Sequence, residues 1–291
     1  MTWLSIADAT INGTVLGLLI ALPALAITLV FGVARFPNAA VGDYMTLGAY
    51  TAVASQAFFS GSVLIAALNA MVVTVAVSLF FYFWVFRRLT GRSHISLLIS
   101  SIGIAFVVRC TITFFAGYDQ YMIQTPITRA WNFGGVRILP TDLYVVAAAL
   151  VALIGAFSLL HLTPTGRKMR ALADNGDLAA TSGIREKSVM LVLWMLTGAF
   201  CGLAGVLLGL KAVVVPELGF ELLILMFAAV ILGGIGSPVG AVIGALIFGI
   251  AQEWASLLVG PPYKIVLAFI VLLTVLLLRP QGILGRIVAV R

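Results

Sequence analysis

Long apolar runs recur along almost the whole chain, and this feature constrains the fold more than any other. Of the 291 residues, 62% are hydrophobic and 9% are charged, and the mean hydropathy is +1.18. A soluble globular chain is about half apolar and about a quarter charged, so this chain has too little polar surface to face water on all sides. Lipid is the expected solvent, and it requires helices or a closed barrel because every backbone polar group must be satisfied internally. The runs are continuous rather than alternating, which favours helices.

Seven of these runs are predicted to form single transmembrane helices. They cover residues 11–33, 40–59, 63–86, 95–116, 143–161, 188–210 and 263–278. Residues 222–252 differ because this charge-free stretch would form a helix of about 46 Å, too long for one crossing and short for two. The sequence from Gly233 to Pro238 interrupts the stretch, so we expect two short helices that meet at a Gly/Pro turn.

The fold class predicted from these runs is all-α. We expect one transmembrane domain, residues 1–291, that forms a polytopic helix bundle of about 8–9 spans, including the broken-helix hairpin. Twelve of the 17 basic residues lie at run ends that fall on one side of such a bundle, four lie on the other side, and Arg109 lies within a run. Because cytoplasmic loops carry an excess of Lys and Arg, this bias predicts an external N-terminus and a cytoplasmic C-terminus. The net charge of +7 is therefore a topology signal, and no nucleic-acid partner is expected.

Small residues fall on one face of two predicted helices. Gly198, Gly202, Gly205 and Gly209 are spaced by four, three and four positions, and Gly13, Gly17 and Ala21 are each spaced by four. Residues with this spacing share a helix face and let helix backbones approach closely in lipid. We expect both faces to be packing surfaces.

Residues 163–187 differ from the rest of the chain because eight of these 25 residues are charged. The segment is longer than an ordinary connector of about 4–6 residues, and its pattern is helical. Asn175-Gly176 divides it into two short helices, of which Asp177 is predicted to cap the second and Gly183 to end it. A solvated loop is the simpler interpretation, but the length and the pattern favour a cytoplasmic docking segment for another protein.

Several motifs resemble those of one transporter family. They are Arg170 to Asn175 with Ala179-Ala180 and Gly183-Ile184, Asn12-Gly13, Asn38 with Gly42-Asp43, Met45 and Leu47 to Tyr50, Gly198 to Gly205 with Pro216 and Gly219, Ala228 to Ser237 with Gly240-Ala241, and Arg279 to Gly282. Over nearly the whole chain this pattern resembles LivH-type permeases, the membrane subunits of ATP-binding-cassette (ABC) importers for branched-chain amino acids and related solutes. The chain departs from the family pattern at Ala39, Val41, Arg109 and Met226.

The resemblance implies a function and a set of partners. The chain is expected to be a multi-pass permease subunit of the bacterial cytoplasmic (inner) membrane that translocates branched-chain or other amino acids, or a related small polar solute. The expected partners are a LivM-like second permease, two ATPase subunits on the cytoplasmic side and an external or periplasmic solute-binding protein. No Gly-Lys-Ser/Thr phosphate loop occurs in the sequence, so ATP is expected on the partner subunits, with no cofactor or metal on this chain.

Two groups of candidate site residues follow from the motifs and the resemblance. The expected ATPase-coupling residues are Arg170, Ala173, Asp174, Asn175, Ala179, Ala180, Gly183 and Ile184. The candidate residues of the translocation path are Asn38, Gly42, Asp43, Arg109, Gly233, Gly234, Gly236 and Ser237. For Gly233 to Pro238, an ordinary turn at the cytoplasmic surface is an equal alternative.

Arg109 carries a charge about 10 Å inside the outer end of its predicted span, at a cost of about 2–3 kcal/mol. Two explanations stay open. In one, the guanidinium is structural, and either pairs with a carboxylate such as Asp43 or Glu253 or reaches outward to the interface. In the other, it faces the path and attracts an anionic or carboxylate-bearing solute through its forked donors.

Three other functions compete with amino-acid import. A sugar-type ABC permease would share the broad architecture. A secondary transporter or channel would carry coupling carboxylates deep in several spans, and this chain offers few. An enzyme is not expected, because the two histidines, His94 and His161, lie far apart and the sequence contains neither an HExxH nor a GxSxG motif.

Overall fold

The computed structural model describes residues 3–58, 62–125, 131–133, 136–260, 263–279 and 281–285. Within these ranges the chain forms eleven α-helices, a 3-10 turn at Phe86–Leu89 and two short strands. The helices are α1 (Trp3–Ala34), α2 (Val41–Phe58), α3 (Val63–Trp84), α4 (His94–Ala116), α5 (Pro140–Leu162), α6 (Pro164–Asp174), α7 (Gly176–Thr181), α8 (Glu186–Gly209), α9 (Leu218–Gly233), α10 (Pro238–Val259) and α11 (Lys264–Leu278). The strands β1 (Trp131–Phe133) and β2 (Val136–Ile138) pair antiparallel. The predicted class, a polytopic helical bundle, is confirmed.

Six stretches of the described chain are long and apolar enough to cross a membrane. They are α1, α3 with its 3-10 turn, α4, α5, α8 and α10. Helices α9 and α11 are shorter, and the less apolar α2 does not meet the same criterion. The number of spans and the sides on which the termini lie therefore stay predictions.

The predicted position of the break in the hairpin is correct, but the predicted length of one of its two helices is wrong. Helix α9 ends at Gly233 and α10 begins at Pro238, so the Gly/Pro turn lies where it was expected. However, α10 has 22 residues and is long enough to cross a membrane, whereas two short helices were expected. The difference arises because the helix continues through Gln252 and Glu253 to Val259, past the charge-free stretch that ends at residue 252.

Contacts divide the chain into two compact units. The first unit comprises residues 1–28, 126–150 and 224–291, and the second comprises residues 29–125 and 151–223. The expected single domain, residues 1–291, stays a prediction.

The second unit is built on close contacts among α2, α3 and α8. The predicted glycine face of α8 forms them. A Cβ on Gly198 would lie 2.6 Å from the Val75 Cα of α3, and one on Gly202 would lie 2.8 Å from the Ala70 oxygen. Further along the same face, a Cβ on Gly205 would lie 2.8 Å from the Ala49 nitrogen of α2. Backbones this close leave no room for a side chain, so the predicted packing surface is confirmed.

The first unit contains a second close helix pair, α1 with α10. A Cβ on Gly13 would lie 2.7 Å from the Ile250 Cα, and one on Gly17 would lie 2.8 Å from the Leu246 Cα. Ala21 on the same face is fully buried. The second predicted small-residue face is therefore also a packing surface.

Candidate functional site

The charged segment between α5 and α8 folds as two short helices, as predicted. The Thr163 hydroxyl accepts the Gly166 N–H at 3.1 Å at the start of α6, and Pro164 occupies the first turn. Gly183 has φ +79°, and the N–H of Ile184 behind it donates to the Ala179 carbonyl at 3.0 Å. This left-handed residue ends the second helix where Gly183 was expected to end it.

The cap of α7 is Asn175, and the prediction that Asp177 caps it is wrong. The Asn175 Oδ1 accepts the N–H groups of Asp177 and Leu178, each at 3.1 Å. Asp177 lies within the first turn of α7. Asn175 precedes the free N–H groups and can reach two of them, whereas Asp177 supplies one of them.

The eight expected coupling residues all lie in the second unit, but they differ in how far they are exposed to solvent. Asp174, Asn175, Ala180 and Gly183 are exposed, and Ala173 and Ile184 are partly buried. Ala179 is only 4% exposed, and Met169 and Leu172 of α6 are buried as well. The outward apolar side chain of α7 is Leu178, which is 64% exposed and was not singled out from the sequence. Leu178 and Ala179 are adjacent apolar residues in the sequence. Only the structure of the helix shows that the first faces outward and the second faces inward.

Arg170 anchors α6 to the end of α5. Its guanidinium donates to the Leu160 carbonyl and lies 3.2 Å from the His161 Nδ1. His161 in turn stacks on Phe157. These contacts hold the segment against the bundle, so Arg170 fixes its position.

A cavity of about 450 Å³ lies beside the two short helices, within the second unit. Its walls combine Asp174, Asn175 and Asp177 with Glu186 at the start of α8 and with Arg35 at the end of α1. Arg35 has φ +59°, the only positive value at a non-glycine residue in the described chain. Sequence reasoning counted Arg35 only as a topology signal, since nothing in an isolated Arg indicates a cavity wall.

Four of the candidate path residues lie in the second unit, and three of them meet. The Arg109 guanidinium donates from Nε to Asp43 Oδ1 at 2.9 Å and from Nη2 to Asp43 Oδ2 at 3.1 Å. The Asp43 side chain is fully buried, and that of Arg109 is 14% exposed. The Arg109 Cζ also lies 4.1 Å from the centre of the Phe220 ring. This forked ion pair matches the structural explanation of Arg109, with Asp43 as the partner.

Gly42 lies next to Asp43 and lets the start of α9 approach the start of α2. A Cβ on Gly42 would lie 2.6 Å from the Gly219 carbonyl oxygen. The Thr46 hydroxyl joins the two starts, since it accepts the Gly219 N–H at 2.9 Å and donates to the Gly42 carbonyl at 3.3 Å. The ion pair therefore lies at a point where three helices, α2, α4 and α9, meet.

Asn38 lies just before α2 and is fully buried. Its Oδ1 accepts the Ala40 N–H at 3.1 Å, and the Ala39 N–H donates to the Ser101 hydroxyl of α4 at 3.1 Å. Its Nδ2 has no hydrogen-bond partner among the described residues. Asn38 thus shapes the chain between α1 and α2.

The other four candidate path residues form the break between α9 and α10, in the first unit. Gly234 and Gly236 have φ +104° and +84°, and the Ser237 hydroxyl caps α10 by accepting the Gly240 N–H at 3.1 Å. Residues 281–285 cover this break, a contact that the sequence did not reveal. Ile283 N–H donates to Leu232 O at 2.9 Å, and Leu284 N–H donates to Gly233 O at 3.0 Å. The orphan carbonyls at the end of α9 are therefore satisfied by the end of the described chain.

Apolar helices of membrane-spanning length, packed through glycine faces and joined to a polar two-helix segment, define the class: a multi-pass helical membrane protein. A family model described as "Branched-chain amino acid transport system / permease component" matches residues 9–276. The chain belongs to this family, whose members are membrane permease subunits of ABC transporters, and it is a multi-pass protein of the inner membrane.

Individual relatives agree with the family assignment. The chain is 30% identical to the high-affinity branched-chain amino acid transport system permease protein BraD of Pseudomonas aeruginosa, over 95% of this chain and 94% of the relative. It is also 30% identical to the corresponding permease protein LivH of Escherichia coli K12, over 94% of each chain. A chain of PsaBC from Streptococcus pneumoniae, solved in complex with Fab, covers 94% of this chain and 92% of that chain with 12% identity and a TM-score of 0.50. That likeness supports the fold alone.

Proposed function

We propose that this chain forms, with a LivM-like second permease, the membrane pathway of an importer for branched-chain or other amino acids. An external binding protein would deliver the solute, and two ATPase subunits would bind and hydrolyse ATP, with no cofactor on this chain. Family membership and the full-length relatives support this proposal. A sugar-type permease has less support, because the ribose import permease RbsC of Bacillus subtilis matches only 58% of this chain, whereas BraD and LivH match 95% and 94% of it.

The segment formed by α6 and α7 carries the proposal, because a soluble motor must act on a stiff part of the membrane subunit. Both helices have side-chain caps, at Thr163 and Asn175, and Arg170 fixes α6 to the end of α5. Leu178 and Ala180 are left exposed on α7. We infer that Leu178 contacts the ATPase subunit, that Ala180 takes part through the adjoining cavity, and that Ala179 supports the helix from within.

The region around Asp43 and Arg109 supports a path for solutes without net charge. Because the guanidinium is paired with a buried carboxylate, the pair contributes no net charge to its surroundings. An amino acid with an apolar side chain is a zwitterion and needs no single compensating charge. Asn38, Gly42, Asp43, Arg109, Gly233, Gly234, Gly236 and Ser237 remain our candidates for the walls of the path.

Disulfide crosslinking between this chain and the ATPase subunit tests the docking role. We expect Leu178→Cys to crosslink to a cysteine in the docking groove of the ATPase, with a yield that changes when nucleotide is added. The matched control is Ala179→Cys, the next residue of the same helix, whose side chain is buried and should not crosslink. Absence of any crosslink across residues 165–185, in a complex that still transports, would contradict the assignment of this segment.

A further inference from the structure

A second cavity, of about 390 Å³, lies in the second unit where three chain segments meet. Its walls come from the end of α1 (residues 33–36), the turn and loop between α3 and α4 (residues 86–94) and the start of α8 (residues 186–194). The side chains of Phe86 and Trp194, with ring centres 4.5 Å apart, pack beneath it. We call this the basic cavity. Its volume falls in the range of small-molecule sites, about 300–1,000 Å³.

The charges around the basic cavity are strongly unbalanced. Arg35, Arg87, Arg92 and Lys187 line it, against the single carboxylate of Glu186. In the part of the chain that the structure describes, none of these four cations forms an ion pair. Four basic groups gathered from three segments, without paired carboxylates, form a site suited to an anion with several acceptor oxygens.

The basic cavity also borders a surface of exposed apolar side chains. Phe83 and Trp84 at the end of α3 are 42% and 60% exposed, and Ile95 at the start of α4 is 68% exposed. The Arg87 Cζ lies 5.9 Å from the centre of the Phe83 ring, and the Arg88 Cζ lies 5.6 Å from that of Trp84. Aromatic rings with neighbouring cations are typical of the boundary between hydrocarbon and headgroups. The apolar side chains offer a surface for acyl chains immediately beside the cations.

Arg35 adds a further observation. Its left-handed backbone costs about 1–2 kcal/mol for a residue with a Cβ, and Gly would avoid that cost. Here an Arg occupies this turn, and its side chain lines the basic cavity. The same side chain also lines the cavity beside α6 and α7, so the two cavities share Arg35.

We propose that the basic cavity binds the phosphate headgroup of an anionic membrane lipid, with the acyl chains lying along Phe83, Trp84 and Ile95. A free phosphate would meet the same cations but would leave these apolar side chains without a role. Lipid bound here would bridge the ends of α1, α3 and α8, close to the cavity beside α6 and α7. Basic pockets between transmembrane helices on the cytoplasmic side bind such headgroups in other proteins.

Photo-crosslinking of a lipid in nanodiscs tests this proposal. The full-length chain, purified with its accompanying subunits, would be placed in phosphatidylcholine nanodiscs with a trace of photoactivatable phosphatidylglycerol. We expect crosslinks on the peptide that contains residues 86–97. In Arg87→Gln the yield on this peptide should fall about fivefold, the loss expected for one cation at a lipid headgroup. Arg92→Gln, in the following loop, provides a second variant with the same expected loss.

Arg167→Gln is the matched control, because Arg167 on α6 is exposed and carries the same charge but does not line the cavity. Its crosslink yield should stay near that of the unaltered chain. Equal losses in Arg87→Gln and Arg167→Gln would overturn the proposal in favour of general attraction to the surface. Displacement of the lipid by inorganic phosphate would assign the cavity to a free anion. A crosslink that forms only after the ATPase subunits are removed would assign the cavity to an acidic segment of that partner.

Discussion

At the scale of single residues, the Arg109 guanidinium lies between a carboxylate and an aromatic ring. Asp43 satisfies two of its donors, and the Phe220 ring covers its face at 4.1 Å. Inside a lipid-solvated bundle, a charge without such partners is costly. The pair therefore links α2, α4 and α9, and either residue alone would leave an uncompensated charge.

We predict that Arg109→Gln and Asp43→Asn each lower the free energy of unfolding by about 3 kcal/mol, because each leaves one buried charge unpaired. The double variant Asp43→Asn/Arg109→Gln should lose clearly less than the sum of the two, since no charge remains. Arg109→Lys should be intermediate, because an ammonium cannot form the forked pair. Thermal unfolding in detergent measures these differences. Additive losses would contradict the pairing, and stable single variants with altered solute preference would favour the path-lining explanation.

The second prediction concerns two glycines that differ in their surroundings. A Cβ on Gly48 would lie 2.6 Å from the Gly202 carbonyl oxygen, whereas one on Gly103 of α4 would meet nothing within 4 Å. Gly48→Ala should separate α2 from α8 and destabilise the bundle by about 1–3 kcal/mol. Gly103→Ala should be neutral or stabilising, because Ala favours a helix by about 1 kcal/mol over Gly. A thermal shift of the same size in both variants would contradict the close approach.

Spacing explains why the glycine faces could be predicted and the partner of Arg109 could not. Gly198, Gly202 and Gly205 are neighbours on one helix, so their shared face follows from the helical period alone. Arg109 and Asp43 are 66 positions apart, and Asp43 and Glu253 were equal candidates until the helices were packed. The prediction of the residue that caps α7 was wrong for a local reason. Asn175 and Asp177 are both good capping residues, and they lie only two positions apart.

At the scale of elements, the left-handed turn after α7 can be tested separately from its packing. Neither Gly183 nor Gly155 has a neighbour within 4 Å of an added Cβ, but only Gly183 has a positive φ. Gly183→Val should therefore cost about 1–2 kcal/mol locally and loosen the end of α7. We expect less solute accumulated per ATP hydrolysed in proteoliposomes. Gly155→Val, in the helical region of α5, should keep normal coupling, and a similar loss in both variants would contradict the role of the turn.

The break between α9 and α10 allows a second test at this scale. Ile235 is 48% exposed, whereas Leu232 is fully buried beneath the contact with Ile283. We predict that Ile235→Cys reacts with a water-soluble thiol reagent and that Leu232→Cys does not. A rate for Ile235→Cys that changes with binding protein and ATP would support a place near the translocation path. Complete labelling of Ile235→Cys, at a rate that does not change with binding protein or ATP, would support the alternative, a turn at the membrane surface.

At the scale of the whole molecule, the apolar runs sufficed to predict the class of fold. Lipid leaves so few options for a backbone that hydropathy alone places most helices to within a few residues. The runs could not predict which faces meet, because lipid-facing and buried residues are equally apolar. For the same reason the sequence did not predict that residues 281–285 pack over the break after Gly233. Nor did it predict the basic cavity, which three separate segments form.

The most direct test of the proposed function is uptake into proteoliposomes that contain this chain with its second permease and ATPase subunits. With an external binding protein and internal ATP, we expect leucine to accumulate against its gradient, and valine or isoleucine to compete with it. Leu178→Asp should abolish accumulation and weaken the association with the ATPase subunits, because it places a charge on the apolar docking side chain. Accumulation of leucine without ATP, or of ribose in place of leucine, would contradict the proposal.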